Sequence, residues 1–248
     1  MRVLLSGALG YMGREVARQA ETGAFVILCG VDAAQGQAAF PVVQSFDVAP
    51  VADVVIDFSA PQALEGLLNY CVRNRVPAVL CTTGYDEAQL AAIDEAAKHV
   101  AIFRSGNMSL GIALLRALAK KAAQVLGEGF DVEIVEKHHN RKKDAPSGTA
   151  LMLFDAVKSA YNEPREAVCG RQGRDCQRQH REIGIHALRG GTVTGEHEVC
   201  FFGPSERIVL SHSAENRSLF ASGAVRAAAF LLGKEPGLYD MDDMVGEL

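Results

Sequence analysis

Val3-Leu4-Leu5-Ser6-Gly7-Ala8-Leu9-Gly10-Tyr11-Met12-Gly13 stands at the start of the chain and decides its fold. Val3 to Ser6 is an apolar run of strand length, too short for a helix. A glycine turn follows, and then a helical pattern from Tyr11 to about Ala20. A strand, a glycine turn and a helix make the opening of a dinucleotide-binding sheet, in which the helix start offers its unpaired amides to a pyrophosphate. The usual fingerprint is G-x-G-x-x-G. Its first position in that register is Ala8, with Gly7 one place early, so the spacing here is G-x-x-G-x-x-G. Gly10 still allows backbone to approach a phosphate, and Gly13 allows the helix to pack close to the sheet. A second strand, Phe25 to Val31, ends in Asp32, near the distance expected of an acid that binds an adenosine ribose. Gly7, Ala8, Leu9, Gly10, Tyr11, Met12 and Asp32 are therefore candidate cofactor contacts.

Working outward, strands and helices keep alternating. Strands are expected at Val54 to Phe58, Ala78 to Cys81 and Val100 to Phe103, with helices ending near Asn74, over Asp86 to Lys98 and over Ser109 to Leu126. This alternation predicts an α/β fold with a Rossmann-like parallel sheet covered on both faces. Ligands of such sheets bind at the carboxyl ends of the strands. Cys81, Thr82, Thr83 and Ser105, Gly106, Asn107, Met108 lie at such ends and join the candidate cofactor contacts.

A second stretch concentrates chemistry: Glu136 to Ala150, EKHHNRKKDAPSGTA. It follows a β-branched strand, Val132 to Val135, and precedes a helical pattern of Ala150, Leu151, Phe154 and Val157. Pro146 pre-sets the turn, and Ser147 or Thr149 can cap the helix start. Free amides beside Lys and Arg suit an anion such as a carboxylate. His138, His139 and Lys142 are proton donors within reach of whatever binds there. A solvated basic loop is the plain alternative, but paired histidines at a strand end before an anion nest weigh against it.

The chain has 248 residues, 48% of them hydrophobic, enough for one large domain or two modest ones. Its formal net charge of −5 argues against a general nucleic-acid binder. Six scattered cysteines without a Cys-x-x-Cys pair fit reduced thiols in the cytoplasm. The chain begins directly in a strand, with no expected signal segment, and no apolar run is long enough to span a membrane.

Beyond residue 161 the pattern changes. Asn162 to Arg181 is polar and is expected as a long loop. Ile183 to Leu188, Val193 to Phe202 and Ile208 to His212 read as strands, hairpin-like, in a mixed or antiparallel sheet. His186, His197 and His212 fall on separate strands without metal-ligand spacing and are expected to be packed or hydrogen-bonded, with no metal site. A helix from about Phe220 to Leu232 and a tail containing Asp240, Asp242 and Asp243, expected as solvated acids, end the chain.

The E-x-H-H-x-x-K-x-D-A-P-S-G-T-A run, with Thr82-Thr83-Gly84, Asn107-Met108-Ser109, Arg189-Gly190-Gly191, Gly195-Glu196-His197 and Gly223-Ala224-Val225-Arg226, resembles the dihydrodipicolinate reductase family along the whole chain. The resemblance implies NAD(P)H-dependent reduction of 4-hydroxy-tetrahydrodipicolinate, a dicarboxylate, in the diaminopimelate route to lysine. It implies a nucleotide domain of residues 1–108 and 219–248, and a smaller α+β domain of 109–218 with a mixed open sheet that binds substrate and builds a homotetramer. It places His138 as the acid–base residue and Lys142 as proton donor or fixed positive charge. His139, Gly148 and Thr149 would hold the substrate carboxylate.

Two positions depart from the family pattern. Many members carry Arg at the place of Tyr11, and a basic residue at or beside the Asp32-Ala33 pair. Both departures remove positive charge from the expected 2′-phosphate position, so NADH is expected to be preferred and NADPH possible. Two rivals share part of the pattern. A dehydrogenase of the aspartate or inositol kind would share the glycine turn without the histidine–lysine loop. A non-catalytic NAD-binding sensor would need no proton donors.

Overall fold

The computed structural model describes residues 1–246. In chain order the elements are β1 (Arg2–Ser6), α1 (Tyr11–Ala20), β2 (Val26–Val31), β3 (Val42–Val43), β4 (Val54–Asp57), α2 (Leu64–Asn74), β5 (Ala78–Leu80), α3 (Glu87–Ala97), β6 (Ala101–Arg104), α4 (Leu110–Leu126), β7 (Asp131–His138), α5 (Gly148–Lys158), β8 (Glu166–Cys169), β9 (Glu182–Arg189), β10 (Gly195–Phe202), β11 (Arg207–Ala214), α6 (Ser218–Leu231), β12 (Gly237–Tyr239) and α7 (Met241–Gly246). They form two compact units, Met1–Leu110 with the stretch from Arg217 onward, and Gly111–Asn216.

The first unit is a seven-stranded parallel sheet in the order β12-β6-β5-β4-β1-β2-β3. Its central strands are apolar at consecutive positions: Val3, Leu4, Leu5, Val54, Val55 and Ile56 are all fully buried. Such runs are tolerated only where helices cover both faces. Leu67, Cys71 and Ile93 of α2 and α3 pack on Leu4, Val55 and Ile102 on one side. From β1 the chain first builds outward through β2 and β3, then returns to place β4 on the other side of β1. That reversal opens a crevice at the carboxyl ends of β1 and β4, the standard ligand position of an open α/β sheet.

The second unit holds a five-stranded mixed sheet in the order β11-β10-β7-β9-β8. β7 is central, parallel to β9 and antiparallel to β10. Its residues alternate, with Val132, Ile134, Glu136 and His138 buried on one face. The apolar pair joins Ile112, Leu115, Leu153, Phe154 and Val157 of α4 and α5 in the core.

Three expectations are corrected. β9 and β10 are not hairpin partners, because β7 lies between them. Their connection crosses the end of β7, where Gly190 N–H donates to the His138 carbonyl and His139 N–H to the Val193 carbonyl. The polar stretch 162–181 contains β8, a short edge strand whose single neighbour needs little apolar sequence. The same stretch is tied to the sheet by Arg171 and Arg178, which pair with Glu133, Glu182 and Asp131. Finally, the acids of the tail are not merely solvated. The Asp240 carboxylate accepts from the Asp242 and Asp243 amides at 2.7 and 3.2 Å, and so caps α7.

All six cysteines are unpaired. Among the described residues no helix is long and apolar enough to cross a membrane.

Candidate functional site

The glycine turn of the first unit joins β1 to α1 and bends through Gly7 at φ +73°. A Cβ on Gly7 would stand 2.3 Å from the Phe58 carbonyl oxygen, so only glycine lets the turn lie against the end of β4. A Cβ on Gly13 would stand 2.3 Å from the Gly7 carbonyl oxygen, which accounts for the third glycine. Gly10 is the N-cap of α1 and makes no side-chain cap bond, so the helix start is left open to an anion. Asp32 follows β2 and turns its carboxylate back: Oδ2 accepts from the Leu9 amide at 2.9 Å and Oδ1 from the Ala34 amide at 3.0 Å. The acid thereby fixes the turn as well as facing it. Tyr11 is exposed, with the Arg217 guanidinium 5.7 Å from its ring centroid. This cradle fits a dinucleotide: glycines where backbone must come close, an open helix start for phosphate, and a carboxylate at the ribose position.

The neighbouring strand ends are built on Asp57, the last residue of β4 and only 1% exposed. Its carboxylate accepts from the Thr82 hydroxyl at 2.7 Å and from both the amide and the hydroxyl of Ser59. Thr82 is therefore turned inward, while Thr83 is exposed and Cys81 partly so. Ser105 and Asn107 shape the next turn: the Ser105 hydroxyl donates to the Asn107 carbonyl at 2.8 Å, and Asn107 Oδ1 accepts from the Ser109 amide at 2.9 Å. Gly106 stands beside the Thr83 methyl. Met108 is buried, and its carbonyl oxygen lies where a Cβ on Gly223 of α6 would sit, 1.6 Å away. That close approach is why the Gly223-Ala224-Val225-Arg226 motif opens with glycine.

In the second unit the loop between β7 and α5 carries the candidate chemistry. Ser147 is the N-cap of α5, its hydroxyl accepting from the Ala150 amide at 3.2 Å. Of the two caps considered, it is the one that closes the helix. Gly148 and Thr149 form the first turn of α5, where the positive end of the helix dipole favours an anion. Lys142 Nζ pairs with Asp144 at 2.9 Å, and the lysine ammonium holds the Asp144 carboxyl below the usual carboxylate range. His139 is half-buried at the end of β7, its amide bonded to Val193.

His138 is bound into a network. Its Nδ1 lies 2.6 Å from Glu136, a carboxylate with no solvent exposure. Arg189 closes on Glu136 through both terminal nitrogens, each at 2.7 Å, and the Ser147 amide donates to it at 3.0 Å. Burial alone would push the Glu136 carboxyl up; Arg189, His138 and the Ser147 amide together outweigh it and hold the carboxyl below the usual range. The His138 and His197 rings stand edge to face, 5.2 Å apart, and His197 Nε2 lies 3.2 Å from the Ser147 hydroxyl. Burial, with the His138 ring beside it, lowers His197 to about 4, so it is neutral near pH 7.

The sequence alone brings His138, His139, Lys142, Gly148 and Thr149 to one loop but does not mark Glu136, Arg189 and His197 as parts of the site. Glu136 did leave a signal. It continues the inward phase of Val132 and Ile134, and a carboxylate at a core position of a strand needs a partner. His197, expected as a packed histidine, is packed against the site itself. His186 does meet its expectation, bonded to Glu133 at 2.7 Å.

The family model of the dihydrodipicolinate reductase N-terminus matches residues 1–108, and that of the C-terminus matches residues 111–245. The 4-hydroxy-tetrahydrodipicolinate reductase of Caldanaerobacter subterraneus subsp. tengcongensis is 51% identical over 99% of this chain and 98% of its own length. That of Clostridium tetani is 44% identical over 99% of this chain and 97% of its own length. In fold, the dipicolinate-bound dihydrodipicolinate reductase from Paenisporosarcina sp. TG-14 superposes with a TM-score of 0.83 at 23% identity, covering 98% of this chain and 99% of that one. Both halves of the chain, the nucleotide cradle and the histidine–lysine loop, thus match the two halves of one enzyme, and the chain belongs to the dihydrodipicolinate reductase family, oxidoreductases that use a pyridine nucleotide.

Proposed function

We infer that this protein reduces 4-hydroxy-tetrahydrodipicolinate to tetrahydrodipicolinate, with loss of water, in the diaminopimelate route to lysine. The observation that carries the reading is the end of β7 and the loop after it, which tie His138 through Glu136 to the Ser147 amide at the capped start of α5 and carry Lys142 in between. A dicarboxylate needs anion holders there, and His139 with Gly148 and Thr149 supplies them. The turn from Gly7 to Met12, Asp32 and the strand-end residues Cys81 to Thr83 and Ser105 to Met108 hold the pyridine nucleotide, which when bound supplies a hydride. His138 moves the proton that must reach the carbon next to the reduced one. Lys142 donates that proton in turn or stands as fixed positive charge on the developing anion. The first unit serves the nucleotide and the second the substrate. The face of the mixed sheet opposite α4 and α5 bears exposed Leu188, Phe202 and Val209, and serves subunit contact in a homotetramer. The cytoplasm suits such an enzyme and its unpaired cysteines.

NADH is the preferred coenzyme. Asp32 puts a carboxylate at the ribose, and Ala33 and Tyr11 beside it carry no charge to answer a 2′-phosphate. The expected preference is about tenfold in kcat/KM, or ~1.4 kcal/mol.

The test is loss of NADH absorbance on adding freshly made dihydrodipicolinate synthase product. Oxidation is expected in the wild type, and His138→Ala or Lys142→Ala should lower kcat by roughly 10²–10⁴. No oxidation at micromolar enzyme would favour a sensor or another dehydrogenase, and near wild-type turnover in both variants would remove their assigned roles.

A further inference from the structure

Glu136 is fully buried, where a lone charge is costly. It is not alone. Arg189 makes a two-pronged pair with it, the Ser147 amide donates to it, and His138 Nδ1 lies 2.6 Å away. Arg189 and the amide have only protons to offer, and an ionised carboxylate has only lone pairs. The proton between Glu136 and His138 therefore sits on Nδ1. The other ring nitrogen, Nε2, is left as the one that gains and loses a proton. On that side Gly195 leaves room: a Cβ there would stand 3.1 Å from Nε2.

We propose that Glu136 and Arg189 are a positioning pair for His138: the carboxylate fixes the Nδ1–H tautomer and aims Nε2, and the guanidinium cancels the carboxylate's charge so that the ring can still release its Nε2 proton. The proposal rests on the reading of His138 as a proton-transferring residue. A bare buried carboxylate at this distance would hold the imidazolium strongly. Paired two-pronged with Arg189, it forms a nearly neutral unit that orients without trapping the proton. His197 on β10 faces the His138 ring; His212 on β11 and Lys142 on the loop before α5 act on His197, Lys142 is paired with Asp144, and the Ser147 hydroxyl at the start of α5 reaches His197. Arg189 also stands opposite His138 in the β7–β9 register, so a mere brace between strands is the competing account.

The proposal predicts two effects of opposite sign where a brace predicts none. Histidine titration followed by ¹⁵N NMR on the full-length, substrate-free protein reads them, with His138 assigned by the signal lost in His138→Ala. Wild type should show His138 protonated on Nδ1 at high pH, with Nε2 titrating. Glu136→Gln should lower the His138 pKa by about one unit or more and admit the Nε2–H tautomer. Arg189→Met should raise it by a similar amount, and Arg189→Lys should return it toward wild type. The low-to-high pH transition of kcat should move in the same opposed directions. A brace alone predicts unmoved pKa and tautomer in both variants, and that result would overturn the proposal. Should the variants not fold, an Nε2–H tautomer in the wild type overturns it as well. Unchanged turnover in His138→Ala would instead strike the reading of His138 as acid, leaving the NMR result to stand separately.

Discussion

Asp32 shows how one side chain serves two ends. Its Oδ2 ties down the Leu9 amide of the glycine turn at 2.9 Å, and the same carboxylate stands where a ribose is expected. Removing the side chain outright would loosen the turn and confuse the two effects. Asp32→Asn keeps an oxygen for the Leu9 amide while deleting the charge. The proposed NADH preference should then narrow, mainly through better NADPH use. In the wild type it should also shrink as salt rises, because an exposed repulsion is screened. Measuring kcat/KM for both coenzymes at two ionic strengths checks this. Equal efficiencies at low salt would overturn the preference and point to Arg217, 5.7 Å from the Tyr11 ring, or to Arg14 in the first helix.

The last long helix, α6, is built for close packing. It is rich in alanine, with Ala221, Ala224, Ala227 and Ala228 fully buried, which lets it lie close to its neighbours. Gly223 takes that closeness to its limit against the Met108 carbonyl oxygen. Helix propensity alone favours Ala over Gly by up to ~1 kcal/mol. The clash decides the sign, since the obstacle is backbone and has no rotamer to yield. Gly223→Ala should destabilise by about 1–3 kcal/mol, the usual range for overpacking. It should also raise KM for NADH, because the displaced residue follows Asn107. Gly148→Ala is the control: nothing lies within 4 Å of a Cβ there, so its unfolding free energy should stay within about 0.5 kcal/mol of wild type. Urea unfolding of both variants reads the difference. A stable Gly223→Ala protein would mean that α6 slides freely over the Asn107–Met108 turn.

Over the whole molecule, buried titratable groups couple stability to pH. His197 is held at about 4 against an ordinary value of 6.5. Between those values the unfolded chain binds a proton that the folded protein refuses, so stability rises with pH there. It should fall as pH drops through 6.5 and stop falling on this account below about 4, a loss of at most ~3 kcal/mol. Glu136 and Glu133 act in the same direction at lower pH. Their carboxyls are depressed, so the stability they contribute is present above the ordinary carboxylate range and lost as pH falls through their folded values. His197→Gln should flatten the slope between about pH 7 and about pH 5. Urea midpoints at those two values test it, and a slope as steep as wild type would exclude His197 as the cause.

The fold class, the glycine turn with Asp32 and the histidine–lysine loop are legible in the amino-acid order, because each of these is local. A run of apolar residues, a glycine spacing or a capped helix start is set by neighbours a few positions apart, and periodicity reports it. The family followed from the same local motifs. The company those residues keep depends on the fold in three dimensions. Arg189 lies 53 positions from Glu136 and meets it because β9 pairs beside β7. His197 reaches Ser147 because β10 takes the other side of β7, the place a hairpin reading had denied it. The three residues of β12 gain their strand only from β6. Sheet order and register are choices among distant segments of similar sequence, and a slip of one residue turns every side chain to the opposite face. A single sequence does not encode that choice in any local pattern, so the carboxylate that holds His138 became visible only once β7, β9 and β10 lay side by side.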